Sequence, residues 1–219
     1  MKRICSTIIL LLSALTVFAQ RELVDGVVVD KTAQKIVDAI ARKINTDNPL
    51  EISFSMSVMD GNKQVNHQEG ILLSDGAKFH LSTKDYEDFC DGNNLWHFVK
   101  ANNEVELSLL DKENNVFNLT QMIKTYAKDY RPKLIREEKR GNTVMNIIDL
   151  IPKGKSSIAK IRIASNKSTD RLGEMTIYIR EGNTYIYKIN KYNVNRSVKA
   201  SDFMFPKEKY PSAEIIDLR

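Results

Sequence analysis

The residues best suited to chemistry are three histidines, His67, His80 and His97, and one cysteine in the body of the chain, Cys90. A metal site needs two or more His, Cys or carboxylate ligands at short, fixed spacings. None of the three histidines has such a partner nearby in sequence, and on solvent-facing strands a histidine is more often a surface group than a ligand. Cys90 falls within an alternating strand and reads as a small buried hydrophobe rather than a nucleophile. Asp60, Asp75, Asp91 and Asp111 sit in turns, where Asp is favoured for backbone reasons alone. There is no Gly-x-Ser-x-Gly, no phosphate loop and no dinucleotide fingerprint. Nothing points to a catalytic carboxylate pair. The expectation is a protein that is not an enzyme and that carries neither metal nor cofactor.

What the sequence does offer is soft and apolar. Met56, Met59, Met122, Met145, Met175 and Met204 recur among Phe, Tyr and Ile. Methionine fills irregular or adaptable apolar surfaces, so these residues build either an ordinary core or a hydrophobic cavity. The single tryptophan, Trp96, poses the same choice between a core anchor and a cavity wall.

The elements that must position these residues follow from periodicity. Lys31 to Ile44 has apolar residues at helical spacing (Ala33, Ile36, Val37, Ile40, Ala41, Ile44), with Asp30 placed as its N-cap. From Leu50 onward the chain alternates. Ile52, Phe54, Met56 and Val58 fall on one face of a strand and Ser53, Ser55 and Ser57 on the other, the pattern of a half-buried antiparallel strand. Turns at Asp60-Gly61, Asp75-Gly76, Asp91-Gly92-Asn93-Asn94, Ala101 to Glu104, Arg140-Gly141-Asn142 and Glu181-Gly182-Asn183 separate the strands, because Gly and Asn accept the backbone angles that tight turns need. Residues 118–128 read as a second short helix. A meander of about 10–11 strands with turns at this spacing predicts a mainly β domain, a sandwich or barrel, with two helical segments.

Length and composition agree. The 219 residues suit one ordinary domain, and 42% hydrophobic with 28% charged residues is the balance of a soluble globular chain. Lys2 and Arg3 precede an apolar run that ends at Val17-Phe18-Ala19, so residues 1–19 are expected to be a secretory signal peptide, leaving one domain over 20–219. A retained membrane anchor is the alternative. Cleavage would lower the formal charge from +5 to +3. No cluster of Lys, Arg and aromatic residues resembles a nucleic-acid groove, so no nucleic-acid partner is expected. With Cys5 in the leader, Cys90 has no partner for an intramolecular disulfide.

Several short motifs, in order, resemble the periplasmic outer-membrane lipoprotein carriers, the LolA-like family. Gln68-Glu69-Gly70-Ile71-Leu72 is similar to the family's Glu-Gly-x-Leu strand, followed by Lys78-Phe79. Asp91-Gly92-Asn93-Asn94-Leu95-Trp96-His97-Phe98 resembles its Asp-Gly-x-x-Leu-Trp-x-Tyr/Phe hairpin, and Asn103-Glu104-Val105 follows as its polar residue and Gln/Glu-Val do. Phe117-Asn118-Leu119 through Ile123 resembles its central helix, and Asp149-Leu150-Ile151-Pro152 its Leu-x-Pro strand end. Phe203-Met204-Phe205-Pro206 resembles its Phe-x-Phe-x-Pro, with Ala213 to Asp217 as the last strand. The resemblance covers essentially the whole chain after the leader.

It implies an unclosed, strongly curved antiparallel β-barrel with helices as a lid over the concave face. It also implies a soluble, monomeric periplasmic carrier that shields the acyl chains of lipoproteins, or another lipid. Such a carrier takes them from an inner-membrane release complex and hands them to an outer-membrane acceptor. The alternative is a lipid- or glycolipid-binding protein, or an envelope-stress sensor that docks a protein on the same sheet. One departure concerns release. The family commonly carries an Arg on the strand after Glu-Gly-x-Leu, and Leu73 to Ala77 has none, so that release scheme does not carry over. Face alternation together with these matches nominates Ile36, Ile40, Phe54, Met56, Phe79, Trp96, Phe98, Phe117, Leu119, Met122 and Ile123 as cavity or lid residues.

Overall fold

The computed structural model describes residues 21–24, 27–110, 126 and 128–219. The expected signal peptide and the candidate residues Phe117, Leu119, Met122 and Ile123 lie outside them. A short hairpin of β1 (Arg21–Val24) and β2 (Val27–Asp30) leads into α1 (Lys31–Thr46). There follow β3 (Leu50–Asp60), β4 (Lys63–Asp75), β5 (Lys78–Thr83), β6 (Tyr86–Cys90), β7 (Asn94–Val99) and β8 (Glu104–Leu109). The second half holds β9 (Tyr130–Arg140), β10 (Thr143–Pro152), β11 (Ile158–Asn166), β12 (Leu172–Ile179), β13 (Thr184–Val194) and β14 (Glu214–Asp217). Within the second predicted helix, Tyr126 and Lys128 are helical and the rest falls outside the described residues, apart from the adjoining Asp129, which is also helical.

β3 to β14 form one sheet in the order β14-β8-β7-β6-β5-β4-β3-β13-β12-β11-β10-β9. The two ends, β14 and β9, do not pair, so the curved sheet is an unclosed barrel. The sheet has twelve strands rather than 10–11. β14 is also an exception to the antiparallel pattern, since it pairs parallel to β8. That geometry requires a long return connection, and the chain from the end of β8 to Glu214 supplies it.

Helix α1 is fixed at both ends by carboxylates. Asp30 caps the start as its sequence position predicts: the Ala33 N–H donates to Oδ1 at 2.9 Å. Its second oxygen accepts from the Leu134 N–H at 2.9 Å, which ties the cap to the edge strand β9. At the other end Lys43 and Arg171 approach Asp47 at 2.8 and 2.9 Å. Burial alone would push the Asp47 carboxyl up, but these two cations hold it below its ordinary value. Between the caps, Ala33, Val37, Ile40 and Ile44 pack on Ile148 and Leu150 of β10, Ile161 and Ile163 of β11, and Met175 and Ile177 of β12. The Tyr126 hydroxyl donates to Asp38 on the helix at 2.8 Å.

The core changes sides along the sheet. On the face that carries α1, here the inner face, the apolar surface runs from β9 to β5. From β6 to β8 the inner positions turn polar (Asp88, His97, Glu106) and the outer positions turn apolar. There Phe89, Phe98 and Val105 are covered by Phe205, Tyr210 and Ala213 from the segment before β14. β6 is the crossing point: Glu87, Asp88, Phe89 and Cys90 are buried in succession, so both of its faces are covered.

Candidate functional site

The inner face is apolar over two halves with different cover. The β9–β12 half is closed by α1. On the β3–β6 half, Leu50, Ile52, Phe54, Leu72, Phe79, Leu81 and Cys90 form a second cluster. Among the described residues, what packs on it comes from neighbouring strands and Leu110 rather than from the helix. Tyr187 of β13 touches both halves.

Within the second half lies a narrow slot of about 20 Å³, lined by Phe54, Met56, Gln68, Leu72, Leu81, Thr83, Tyr86 and Tyr187. Sheet register explains its position. Leu134, Ile148, Ile163, Met175, Tyr187 and Met56 stand opposite one another across six strands, and the row continues to Gln68 on β4. A mainly apolar row thus leads across the face to the Gln68 amide. The Gln68 Oε1 is buried and has no hydrogen-bond partner. Burial in this setting pushes the Tyr86 phenol up and the Tyr187 phenol up to about 12, so both are neutral at physiological pH.

Gly70 shapes the slot's floor. It stands opposite Phe54 in the β3–β4 ladder, and a Cβ built on it would lie 2.6 Å from Phe54 Cζ and 3.1 Å from the Ser82 carbonyl oxygen. The Phe54 ring therefore lies across β4 only because position 70 has no side chain. Gly70→Ala should force the ring off this position, at a cost of about 1–3 kcal/mol by overpacking. A thermal melt is expected to show the loss, and an acyl-probe titration should show weaker binding as the ring swings into the slot.

The structure brings two of the nominated residues, Phe54 and Met56, into this slot. Phe79 is on the same half of the inner face but inside the packed cluster, 3% exposed. Ile40 is fully buried beneath α1 and Ile36 flanks it, both on the other half. Trp96 and Phe98 are on the opposite face. By register they share the side of Phe89 and Val105, and they pack with Phe205 and Tyr210. Side-chain alternation was the correct guide within β7, but the face with the larger aromatics is the outer one there, because the core has already crossed at β6. Leu72, Leu81, Tyr86, Tyr187 and Gln68 were not nominated. Their signal was register: Gln68, Leu72 and Tyr187 are same-face neighbours of Phe54 or Met56, Leu81 lies one strand beyond and Tyr86 two.

The histidines are paired rather than clustered. His67 lies 3.0 Å from the Ser57 hydroxyl. On the inner face the His97 Nδ1 is 2.6 Å from Asp88, and that carboxylate raises the His97 pKa. His80 Nε2 lies 3.0 Å from Glu87, stacked on the Phe89 ring at 4.1 Å. Among the described residues no group of three or more His, Cys, Asp or Glu is placed to hold a metal, and no helix is long and apolar enough to cross a membrane.

Glu87 faces a charged cleft on the outer side, of about 410 Å³, shared with Arg196, Asp202 and Lys209. His80, and behind it Lys100 at 3.0 Å, hold the Glu87 carboxyl down to about 2 from an ordinary 4.5. A lowered folded-state pKa contributes stability that is complete above the unfolded value and is lost as pH falls through the folded one. The melting temperature should therefore decline between pH 4.5 and 2, and Glu87→Gln should flatten that part of the profile.

No family model matches this sequence, and no curated protein does. Solved structures do match. An uncharacterized conserved protein from Thermus thermophilus aligns with a TM-score of 0.59 at 11% identity, over 85% of this chain and 99% of that one. A LolA superfamily protein from Nitrosomonas europaea aligns at 0.45 and 12% identity, over 79% and 97% of the two chains. LprF from Mycobacterium bovis aligns at 0.47 and 6% identity, over 77% and 96%. At these identities likeness speaks of fold alone, and the Thermus protein shares it across nearly its full length. The chain has the architecture its motifs imply, an unclosed curved sheet, and shares that fold with the Thermus protein.

Proposed function

We propose that this protein binds acyl chains on the inner face of its sheet and carries them, as the lipid part of a lipoprotein or as another lipid, through the periplasm from the inner to the outer membrane. The observation that carries this reading is the β3–β6 half of the inner face. It is apolar, it holds a narrow slot, and among the described residues α1 does not cover it.

The physical logic is that of an escort. Each buried methylene contributes about 0.8 kcal/mol, so a bare acyl chain does not cross water by itself. No catalytic group is required, because transfer needs only an acceptor that binds the chain somewhat better. The slot as it stands has room for about one water molecule, so a chain enters only if wall side chains move. Met56, unbranched and half-buried, is the wall best able to do so. The leader, the single domain that follows it and the periplasmic address belong to the same proposal.

The test is native mass spectrometry of the mature protein purified gently from its host, with extraction of any bound mass and displacement of a fluorescent fatty acid. A bound acyl species supports the carrier and identifies its cargo class. A clean unliganded mass together with no probe binding overturns it.

A further inference from the structure

We infer that the ligand of the inner-face slot carries a hydrogen-bond donor, a hydroxyl or an amide N–H, which the Gln68 carbonyl oxygen receives while the aliphatic part lies toward Met56 and Tyr187. This rests on the acyl-binding reading above and names the chemistry that the slot selects.

Three observations lead to it. The Gln68 Oε1 is buried and has no hydrogen-bond partner. A buried acceptor that the protein itself leaves unpaired carries a cost that a bound donor can relieve. Gln68 also lines the slot itself, among Phe54, Met56 and Leu72, where a bound molecule would meet it. Finally, Gln68 marks a boundary on β4. The position before it on the same face, Asn66, is exposed, and those after it, Gly70 and Leu72, are buried. A chain entering from the exposed end passes the amide before reaching the apolar wall, so its polar group comes to rest at Gln68 and its tail beyond.

A plain ester offers acceptors only and leaves the Gln68 oxygen unpaired when it excludes water from the slot. A β-hydroxyacyl chain supplies an O–H, and an N-acyl group supplies an N–H. Both satisfy the amide, and they are the two sources that the experiment separates.

The experiment uses the mature chain loaded with dansyl-labelled undecanoic acid. Displacement is measured for three competitors of one chain length: methyl tetradecanoate, methyl β-hydroxytetradecanoate and N-methyltetradecanamide. At least one donor-bearing competitor should displace the probe about tenfold better than the plain ester, and whichever does so identifies the source. Gln68→Met, close in size and without an acceptor of comparable strength, should erase the preference while binding the plain ester at least as well. A folded Gln68→Met protein that keeps the preference overturns the assignment of Gln68. If the ester displaces the probe as well as both donors, or better, the donor inference fails and the acyl-binding reading stands. If none of the three displaces the probe and the probe itself does not bind, both fail.

Discussion

Glutamate at position 56 is expected to lower acyl-chain affinity about a hundredfold or more while leaving the fold largely intact. Met56 is half-buried on the slot wall, in the row that runs from Leu134 to Gln68. In the empty protein a carboxylate there can stay hydrated, because position 56 is only partly buried, so the folded state loses only modest packing. When a chain fills the slot, water is excluded and the carboxylate must be desolvated or protonated. That costs several kcal/mol, and each 1.4 kcal/mol is about a factor of ten in affinity. Displacement titrations of the Met56→Glu variant with a fluorescent fatty acid, run beside thermal melts, check this. Equal loss of binding and of stability would mean that Met56 belongs to a closed core, and the slot would not be the site.

Phe98→Ala should behave in the opposite way. Phe98 is 2% exposed on the outer face, with its ring 5.4 Å from that of Phe205 and 4.6 Å from that of Tyr210. Truncating a buried phenylalanine typically costs about 3–5 kcal/mol through lost transfer energy and the cavity left behind. In a chain of this length that lowers the melting temperature by roughly 10 °C. Acyl affinity, measured well below the new midpoint, should be unchanged, since the sheet separates this cluster from the slot. Phe205→Ala should be destabilising as well, and the double variant less so than the sum, because both residues fill the same space. A Phe98→Ala protein that melts normally but no longer binds lipid would place the ligand on the outer face and overturn the assignment of the slot to the inner one.

These two residues also show how far the sequence could be read. The Trp96-Phe98 hairpin and the Phe203-Met204-Phe205-Pro206 motif were both visible as strings. What they do for each other was not: they meet on the outer face, about a hundred residues apart in the chain, and close a small core that the helix never touches. Alternation shows which residues of a strand share a face. It does not show which face of the sheet that is, because each strand carries the same two-residue period whichever side is buried. A strand such as β6, buried on both sides, leaves no alternating signal at the point where the core crosses. The slot was half legible for the same reason. Phe54 and Met56 stood out on β3, but Gln68 and Tyr187 join them through the pairing of β3 with β4 and β13, and Tyr86 reaches the slot from β6, two strands past β4.

By itself the sequence determined the local elements. The period of 3.6 and the Asp30 cap give α1, the alternation from Leu50 onward gives the strands, and Gly and Asn place the turns, because each of these is settled by residues within a few positions of one another. Only the tertiary structure decided the order of the twelve strands, the parallel return of β14, the side on which each aromatic is buried, and the meeting of an unpaired Gln68 oxygen with an apolar slot. Those depend on contacts between residues far apart in the chain, whose registers no local pattern encodes.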